Sequence, residues 1–173
     1  MIWRRVLQSL VKPTRALPVP EPQEASLAAL VANLDETARA RLGRSLLLRH
    51  VDSGSCNGCE LELNALSGLA YDLERLGLRF TPSPRHADVL MVTGVLSRNL
   101  HEALLATYQA TPGPKWVVAV GDCAVDGGVF RGSYAVMGGT GAALPVDLLI
   151  RGCPPTPAQV IAGLVSLVAA QTA

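Results

Sequence analysis

The sequence predicts an α/β domain in which helices cover both faces of a doubly wound parallel sheet. Its strand-like segments are short and apolar without polar alternation, a pattern typical of strands that are buried on both faces. Segments with helical periodicity separate them, and consecutive parallel strands are joined by such crossovers. At 173 residues the chain is long enough for one such domain with a buried core and too short for two ordinary domains.

Strands and helices are predicted to alternate over most of residues 45–170. Strands are predicted at 45–51, 88–93, 115–120 and 147–150. Helices are predicted at 60–76, 99–110 and 156–170, and the first has an apolar face formed by Leu61, Ala65, Leu66, Leu69, Leu73 and Leu76. This order of elements indicates a flavodoxin-like fold, in which functional groups collect in the loops beyond the carboxyl ends of the strands.

The composition bounds the function. Apolar residues make up 49% of the chain and charged residues 17%, so the hydrophobic excess is expected in a core, in a partner interface, or in both. No run approaches the roughly 18 consecutive apolar residues that a membrane-spanning helix requires. The net charge of +1 gives no reason to expect nucleic acid as a partner.

Residues 1–44 are predicted to form an N-terminal segment separate from the domain at 45–173. An amphipathic helix is predicted at 2–11, a proline-rich linker follows, and a second helix is predicted at 26–42. The part up to Glu21 carries four basic side chains and no acidic one. Two interpretations stay open for this part: a frayed tail, or a basic helix that lies on a membrane surface or docks on a membrane subunit.

The four cysteines of the chain all follow predicted strands. Cys56 and Cys59 come after the first strand, Cys123 after the third, and Cys153 after the fourth. Because the carboxyl ends of parallel strands meet at one edge of a sheet, we expect the thiols to converge there. The N-terminus is a poor match to a secretory signal, which favours a reducing compartment, where cysteines serve more often as metal ligands or catalytic groups than as disulfides.

Several interpretations compete for these thiols. Unrelated buried cysteines would not be expected to gather at strand ends, and a redox dithiol would use the first two cysteines and leave the others without a role. Structural zinc sites usually take two close C-x-x-C pairs, whereas here the second pair is widely split. A [4Fe–4S] cluster needs four thiolates around a cuboid, so ligands from separate loops are natural. The sequence therefore predicts one [4Fe–4S] cluster bound by Cys56, Cys59, Cys123 and Cys153.

The motifs around the cysteines resemble those of a known family. The string C-N-G-C-E-L-E at 56–62 is similar to the C-x-G-C-x-x-E of [NiFe]-hydrogenase small subunits. Other strings resemble the 20 kDa subunit of respiratory complex I, the NADH-quinone oxidoreductase: V-T-G-V-L-S-R-N at 92–99, G-D-C-A at 121–124, G-G-V-F at 127–130, P-V-D at 145–147 and R-G-C-P-P-T-P at 151–157. The resemblance covers about residues 45–170, in the family's order.

The spacing of the first two cysteines distinguishes the branches of that family. Complex I subunits carry two adjacent cysteines there, whereas two residues separate Cys56 from Cys59. This spacing favours the small subunits of membrane-bound, energy-converting [NiFe]-hydrogenases, including the formate hydrogenlyase type. The resemblance implies a subunit without turnover of its own, whose cluster relays electrons between a [NiFe] large subunit and a ferredoxin-like subunit. It also implies membrane subunits as partners and a peripheral position on the cytoplasmic side of the inner membrane.

Two alternatives remain open. In the first, the chain is the 20 kDa subunit of a complex I-like NADH-quinone oxidoreductase and passes electrons to quinone. In the second, the cysteines hold zinc in a structural assembly subunit that transfers no electrons. The colour and metal content of the protein would separate zinc from iron, and the sequence of the large partner would separate hydrogenase from complex I.

Three polar residues are further candidates for function. Glu62 matches the family's acidic position at the subunit interface, where it is a candidate proton relay, or it is an ordinary solvated glutamate. His50 precedes the cysteine loop and is either a ligand, a proton carrier or a polar residue near a strand end. Arg98 follows the second predicted strand, where it binds a partner protein, balances cluster charge or is simply exposed.

The stretch 127–144 contains six glycines and few charges. It matches neither the G-x-x-x-x-G-K-[ST] loop nor a strand–GxGxxG–helix arrangement, so a phosphate-binding role is not predicted. We expect an irregular loop that packs against the large subunit, with Phe130 and Tyr134 as apolar anchors.

Overall fold

A computed structural model describes residues 45–170, from the first predicted strand to the last predicted helix. The helices and linker predicted for 1–44 lie outside the described residues, as do residues 171–173, and the domain division stays a prediction. Within 45–170, no helix combines the length and the apolar character that crossing a membrane requires.

Strands and helices alternate along the described chain. In order they are β1 (Leu46–Asp52), α1 (Gly58–Leu66), β2 (Leu78–Phe80), β3 (Val89–Thr93), β4 (Leu96–Ser97), α2 (His101–Ala110), β5 (Trp116–Val120), α3 (Asp122–Asp126), β6 (Val136–Gly138), β7 (Leu148–Ile150) and α4 (Pro157–Ala170). Short 3₁₀ turns lie in the connections, at Leu73–Leu76, Pro84–His86, Gly128–Phe130 and Thr140–Ala142. The predicted strands agree with β1, β3, β5 and β7 to within one residue at each end.

Five parallel strands form the sheet, in the order β2-β1-β3-β5-β7. The chain moves outward in one direction from β1 to β2 and in the other direction from β3 to β7. The predicted flavodoxin-like, doubly wound α/β fold is therefore confirmed. In such a sheet ligands bind beyond the carboxyl ends of the strands, near the place where the strand order reverses.

The core lies on both faces of the sheet, because alternate residues of a strand point to opposite sides. On one face, Val89 and Met91 of β3 pack with α1 and α4, whose Leu66 and Ile161 are fully buried. On the other face, the intervening residues of β3 pack against α2, where Leu104 is fully buried. Every residue of β3 is buried, which explains its continuous apolar run.

Two aspartates fasten neighbouring strands at the amino end of the sheet. Asp88 precedes β3, and its carboxylate accepts a 2.9 Å hydrogen bond from the N–H of Leu47 in β1. Asp147 precedes β7, and its carboxylate accepts a 2.7 Å hydrogen bond from the N–H of Val117 in β5. The backbone N–H of each aspartate donates to the carbonyl of the same neighbour, so each pair is closed by two hydrogen bonds.

The helix predicted at 60–76 is wrong in its length. The helix runs over Gly58–Leu66, and it ends because the N–H of Gly68 bonds to the carbonyl three residues earlier instead of four. The chain then turns before the 3₁₀ turn that follows. Leu69, which the prediction assigned to the apolar face, is fully exposed, and Leu61 is 61% exposed.

The glycine-rich stretch 127–144 contains more regular structure than the predicted irregular loop. Within it, β6 pairs antiparallel with β4 to form a two-stranded ribbon beside the main sheet. Leu96 is the partner of Gly138 in this ribbon, and the backbone N–H of Arg98 donates to the carbonyl of Ala135 at 2.9 Å. Gly128 and Val129, near the start of this stretch, lie in a cleft that Cys123 and Cys153 also line.

Candidate functional site

The loop between β1 and α1 carries Cys56 and leaves its side chain exposed. The Asp52 carboxylate at the end of β1 fixes this loop, because one of its oxygens accepts 2.7 Å hydrogen bonds from two successive loop amides. Asn57 takes a left-handed conformation with a φ of +71°, and α1 begins directly after it. The first turn of α1 carries Cys59, whose side chain is buried.

Cys123 and Cys153 come from two loops that are bonded to each other. Cys123 lies in the first turn of α3 and is half-buried, and Cys153 follows β7 and is exposed. The N–H of Asp122 donates to the carbonyl of Gly152 at 2.8 Å, and the N–H of Gly152 donates back to the Asp122 carboxylate at 3.2 Å. These reciprocal bonds fix the position of one cysteine loop against the other.

All four cysteines line one cavity of about 100 Å³ at the carboxyl edge of the sheet. The other lining residues are Ser55, Gly58, Gly94, Asp122, Gly152 and Pro154. The structure therefore brings together the four side chains that the sequence singles out, from the loops after β1, β5 and β7.

Burial and mutual repulsion oppose the ionisation of two of these thiols. Burial raises the pKa of Cys59 to about 12, and the Glu60 carboxylate and the other three cysteines contribute further. Burial also raises the pKa of Cys123, with contributions from Cys153 and Cys56. Both thiols are therefore protonated at pH 7 unless a cation is present, and binding of a metal centre would displace their protons.

Glycines allow the backbone to lie close to two of the sulfur atoms. A Cβ atom at Gly121 would lie 2.5 Å from the Sγ of Cys59, and a Cβ atom at Gly128 would lie 3.1 Å from the Sγ of Cys123. Both glycines have positive φ, +90° and +47°, which side-chain-bearing residues rarely adopt. Four thiols around one cavity, with backbone close to two of the sulfur atoms, fit a thiolate-bound iron–sulfur cluster.

A zinc ion and an iron–sulfur cluster require different arrangements of the four thiols. A structural zinc ion needs its four ligand atoms within about 2.3 Å of one point. An iron–sulfur cluster carries its thiolates on different irons, so the sulfurs surround a volume and do not converge on a point.

A polar network lies beneath the cysteine loop, and its centre is Glu60. The carboxylate of Glu60 accepts hydrogen bonds from the hydroxyl of Ser55 in the loop and, at 2.6 Å, from the hydroxyl of Thr93 at the end of β3. The Nε2 of His50 in β1 lies 2.9 Å from the Thr93 hydroxyl and 3.6 Å from Glu60. Glu60 therefore ties the first cysteine loop to two strands of the sheet.

His50 takes part in this network as a neutral group. Burial lowers its pKa, although the nearby carboxylates of Glu60 and Asp52 act in the opposite direction. Since the Thr93 hydroxyl donates its proton to Glu60, the neutral imidazole donates to Thr93 from Nε2. Of the roles considered for His50, a cysteine-site ligand is disfavoured, because His50 is not among the residues that line the cavity.

Glu62 and Arg98 lie outside the cavity lining. Glu62 is half-buried on α1, and Arg98 is exposed, with its Nε donating to the carbonyl of Tyr134 at 2.7 Å. Sequence reasoning missed Glu60 and Arg151, which engage the cysteine loops more closely. Glu60 adjoins Cys59 in sequence, and that adjacency was the one signal that could have found it.

Arg151 lies on the outer side of the site, in an open cleft of about 310 Å³ that Cys123 and Cys153 also line. Its Nη1 lies 3.4 Å from the carboxylate of Asp126 and 3.7 Å from that of Asp122. The side chain therefore bridges the end of β7 to α3, which carry the two cysteines of the cleft.

Comparison with known proteins agrees with this geometry. The family described as NADH ubiquinone oxidoreductase, 20 Kd subunit, matches residues 56–167, a span that includes all four cysteines. The chain belongs to this family. Its resemblance to the family, inferred from the motifs, is thereby confirmed.

Two relatives come from hydrogen-metabolising complexes, by their names. Formate hydrogenlyase subunit 7 of Escherichia coli is 42% identical over 147 residues, which are 85% of this chain and 56% of the relative. A probable membrane-bound hydrogenase subunit, mbhJ, of Pyrococcus furiosus is 43% identical over 124 residues, 72% of this chain and 74% of the relative. The chain thus spans little more than half the length of the first of these relatives.

A solved structure shares the fold. It is a chain of the membrane-bound sulfane sulfur reductase, described as an archaeal respiratory membrane complex, and it is 33% identical with a TM-score of 0.65. The match covers 79% of this chain and 74% of the other. Proteins similar to this chain therefore occur in complexes that are named for different reactions.

Proposed function

We propose that the chain is an electron-transfer subunit that binds one [4Fe–4S] cluster through Cys56, Cys59, Cys123 and Cys153. The observation that carries the proposal is the common cavity lined by these cysteines, which come from loops far apart in sequence. When bound, the cluster supplies a one-electron redox centre. The chain's own contribution is to hold four thiolates in fixed positions and to tune their surroundings.

Each cysteine loop has a support that suits this role. The Asp52 carboxylate and Glu60 hold the loop of Cys56 and Cys59. The reciprocal bonds between Asp122 and Gly152 hold the other two cysteines. These supports come from the chain's own backbone and carboxylates, so they restrict the positions of the loops that would hold the cluster.

We propose that the chain belongs to a membrane-associated [NiFe]-hydrogenase complex of the formate hydrogenlyase type. The two named relatives support this owner, as does the C-x-x-C spacing of Cys56 and Cys59. In this role the chain passes electrons between a [NiFe] large subunit and a ferredoxin-like subunit. The complex would lie at the cytoplasmic side of the inner membrane, where membrane subunits anchor it.

A strip of exposed apolar side chains supports a large partner beside the site. The partner strip, as we name it, consists of Val129, Phe130, Tyr134 and Met137. Val129, which lines the cleft with Cys123 and Cys153, is 81% exposed, and Tyr134, five residues further along the chain, is 92% exposed. Aromatic and methionine side chains are enriched at protein interfaces, so we propose that the large subunit covers this strip.

The structural match to the sulfane sulfur reductase supports a second candidate, a sulfur-reducing membrane complex that contains this chain. In such a complex the same relay would serve a large subunit that reduces sulfur compounds. The complex I-like alternative, with quinone as the acceptor, stays open through the family description. The large partner separates the hydrogenase from the other two complexes, because a [NiFe] centre requires two C-x-x-C pairs in that chain.

Anaerobic purification of the full chain tests the cluster. We expect a brown protein with about four irons and four acid-labile sulfides per chain, and an S = 1/2 electron paramagnetic resonance signal after reduction. A colourless protein that retains one zinc ion would overturn the proposal and leave the structural zinc role. Purification of the intact complex then tests the owner, where nickel in the large subunit is expected and its absence would point to the other two owners.

A further inference from the structure

The cleft beside the cysteine cavity has an uneven distribution of charge. Two carboxylates, those of Asp122 and Asp126, line the cleft together with Cys123 and Cys153. Arg151 is the one basic residue among the residues that line either the cavity or the cleft. When thiolates bind a redox group here, Arg151 is therefore the closest available source of positive charge from this lining.

Two carboxylates hold the guanidinium of Arg151 at this position. Its Nη1 faces both carboxylates of the cleft, at 3.4 Å from Asp126 and 3.7 Å from Asp122. The carboxylate of Asp126 also accepts the N–H of Gly128 at 3.0 Å, which keeps the acid in place. A second arginine, Arg131, binds Asp126 at 2.9 Å but lines neither the cavity nor the cleft.

These ion pairs are poor candidates for a purely structural role. Arg151 is 63% exposed, and ion pairs at exposed sites contribute little to folding stability. The position of the Arg151 charge has a direct consequence for the reduction of a group bound by the cysteines. Adding an electron to the bound group makes the site more negative, and a nearby positive charge stabilises that reduced state more than the oxidised state.

We propose that Arg151 sets the reduction potential of the redox group held by the four cysteines, with its charge fixed at the cleft by Asp122 and Asp126. The inference rests on the proposed function. Removing the Arg151 charge would leave two carboxylates and no basic side chain in the lining of the cleft. Arg131 would not replace the lost charge there, because it pairs with Asp126 from outside the lining. The potential should then move to a more negative value.

The test compares the full-length wild-type chain with R151Q, R151K and R131Q, each purified anaerobically and titrated while the paramagnetic resonance signal is followed. R131Q is a matched control, because Arg131 is 64% exposed, also pairs with Asp126 and lies outside the cleft lining. We expect a more negative potential in R151Q, a smaller shift in R131Q, and a wild-type potential in R151K, which keeps the charge.

Equal potentials in R151Q and R131Q would overturn the inference, and so would a shift in R151K as large as that in R151Q. If R151Q does not retain its iron, R151M replaces it as the variant without the charge: a potential more negative than that of R151K supports the inference, and a potential equal to that of R151K overturns it. A wild-type chain without iron would instead overturn the proposed function, and this inference with it. Iron content, measured first, keeps the two failures apart.

Discussion

Gly121 lies so close to Cys59 that a Cβ atom at this position would be 2.5 Å from the cysteine Sγ. Gly121 follows the last residue of β5, and its φ of +90° turns the chain into the helix that carries Cys123. The sheet therefore places backbone, and no side chain, beside the most buried thiol of the site. Two requirements, the turn and the close approach, both demand glycine here.

We expect Gly121→Ala to reduce iron binding as well as stability. A residue with a side chain in this conformation costs about 1–3 kcal/mol of folding free energy, and the added methyl group would also displace Cys59. Gly132→Ala is the matched control, because Gly132 has a φ of +83° and nothing within 4 Å of a Cβ atom there. Urea unfolding of the iron-free chains should reveal strain in both variants, whereas iron content should fall in G121A alone. Full iron content in G121A would contradict this account of the glycine.

Glu60 and Glu62 should differ in their contribution to stability. Glu60 accepts hydrogen bonds from Ser55 and Thr93, so Glu60→Ala leaves the buried Thr93 hydroxyl and the half-buried Ser55 hydroxyl without this acceptor and should cost about 1–3 kcal/mol. Glu62→Ala should stay within about 0.5 kcal/mol of wild type, as is usual for a residue outside such networks. Urea unfolding of the iron-free chain measures both. Equal losses would mean that the Glu60 network does not hold the cysteine loop.

The strands and the cysteine edge were predictable for physical reasons. The buried strand V-L-M-V-T at 89–93 is a continuous apolar run, because both of its faces are covered, and such runs read clearly in a sequence. Once the strands are taken as parallel, their carboxyl ends must lie at one edge of the sheet. The shared position of the cysteines, which all follow strands, can be predicted from that alone.

The polar details could not be predicted in the same way. Successive residues of a helix are rotated by about 100°, so Glu60 and Glu62 project about 200° apart, and the inward one depends on where α1 begins. The left-handed conformation of Asn57 sets the start of α1, and the hydrophobic periodicity of the sequence does not predict that conformation. The short helix α3 has only five residues, too few for a helical pattern to appear.

Truncation of the partner strip should weaken assembly without unfolding the chain. Tyr134→Ala removes an exposed aromatic ring, and a buried aromatic anchor at an interface contributes roughly 2 kcal/mol or more, about a 30-fold loss of affinity. Leu69→Ala is the control, because Leu69 is fully exposed but lies in the turn after α1, outside the strip. Binding of the purified large subunit to each immobilised variant measures the effect. A similar affinity of both variants for the large subunit would exclude Tyr134 as an anchor.

The iron-free chain should become less stable in alkaline solution because of Cys59. Burial raises the pKa of this thiol from 9.0 to about 12, so the folded state favours the protonated form more strongly than the unfolded state does. This contribution to stability is complete below pH 9.0 and is lost as the pH rises toward 12, because the unfolded chain then ionises first. Cys59→Ala removes the titrating group. The stability difference between wild type and C59A, measured by urea unfolding, should therefore narrow as the pH rises from about 9 to about 10.5. Leu63→Ala, which truncates another buried side chain of α1 and removes no titrating group, is the control, and its difference from wild type should not narrow over this pH range. A difference for C59A that stays constant with pH would mean that Cys59 is not buried as a neutral thiol in the iron-free protein.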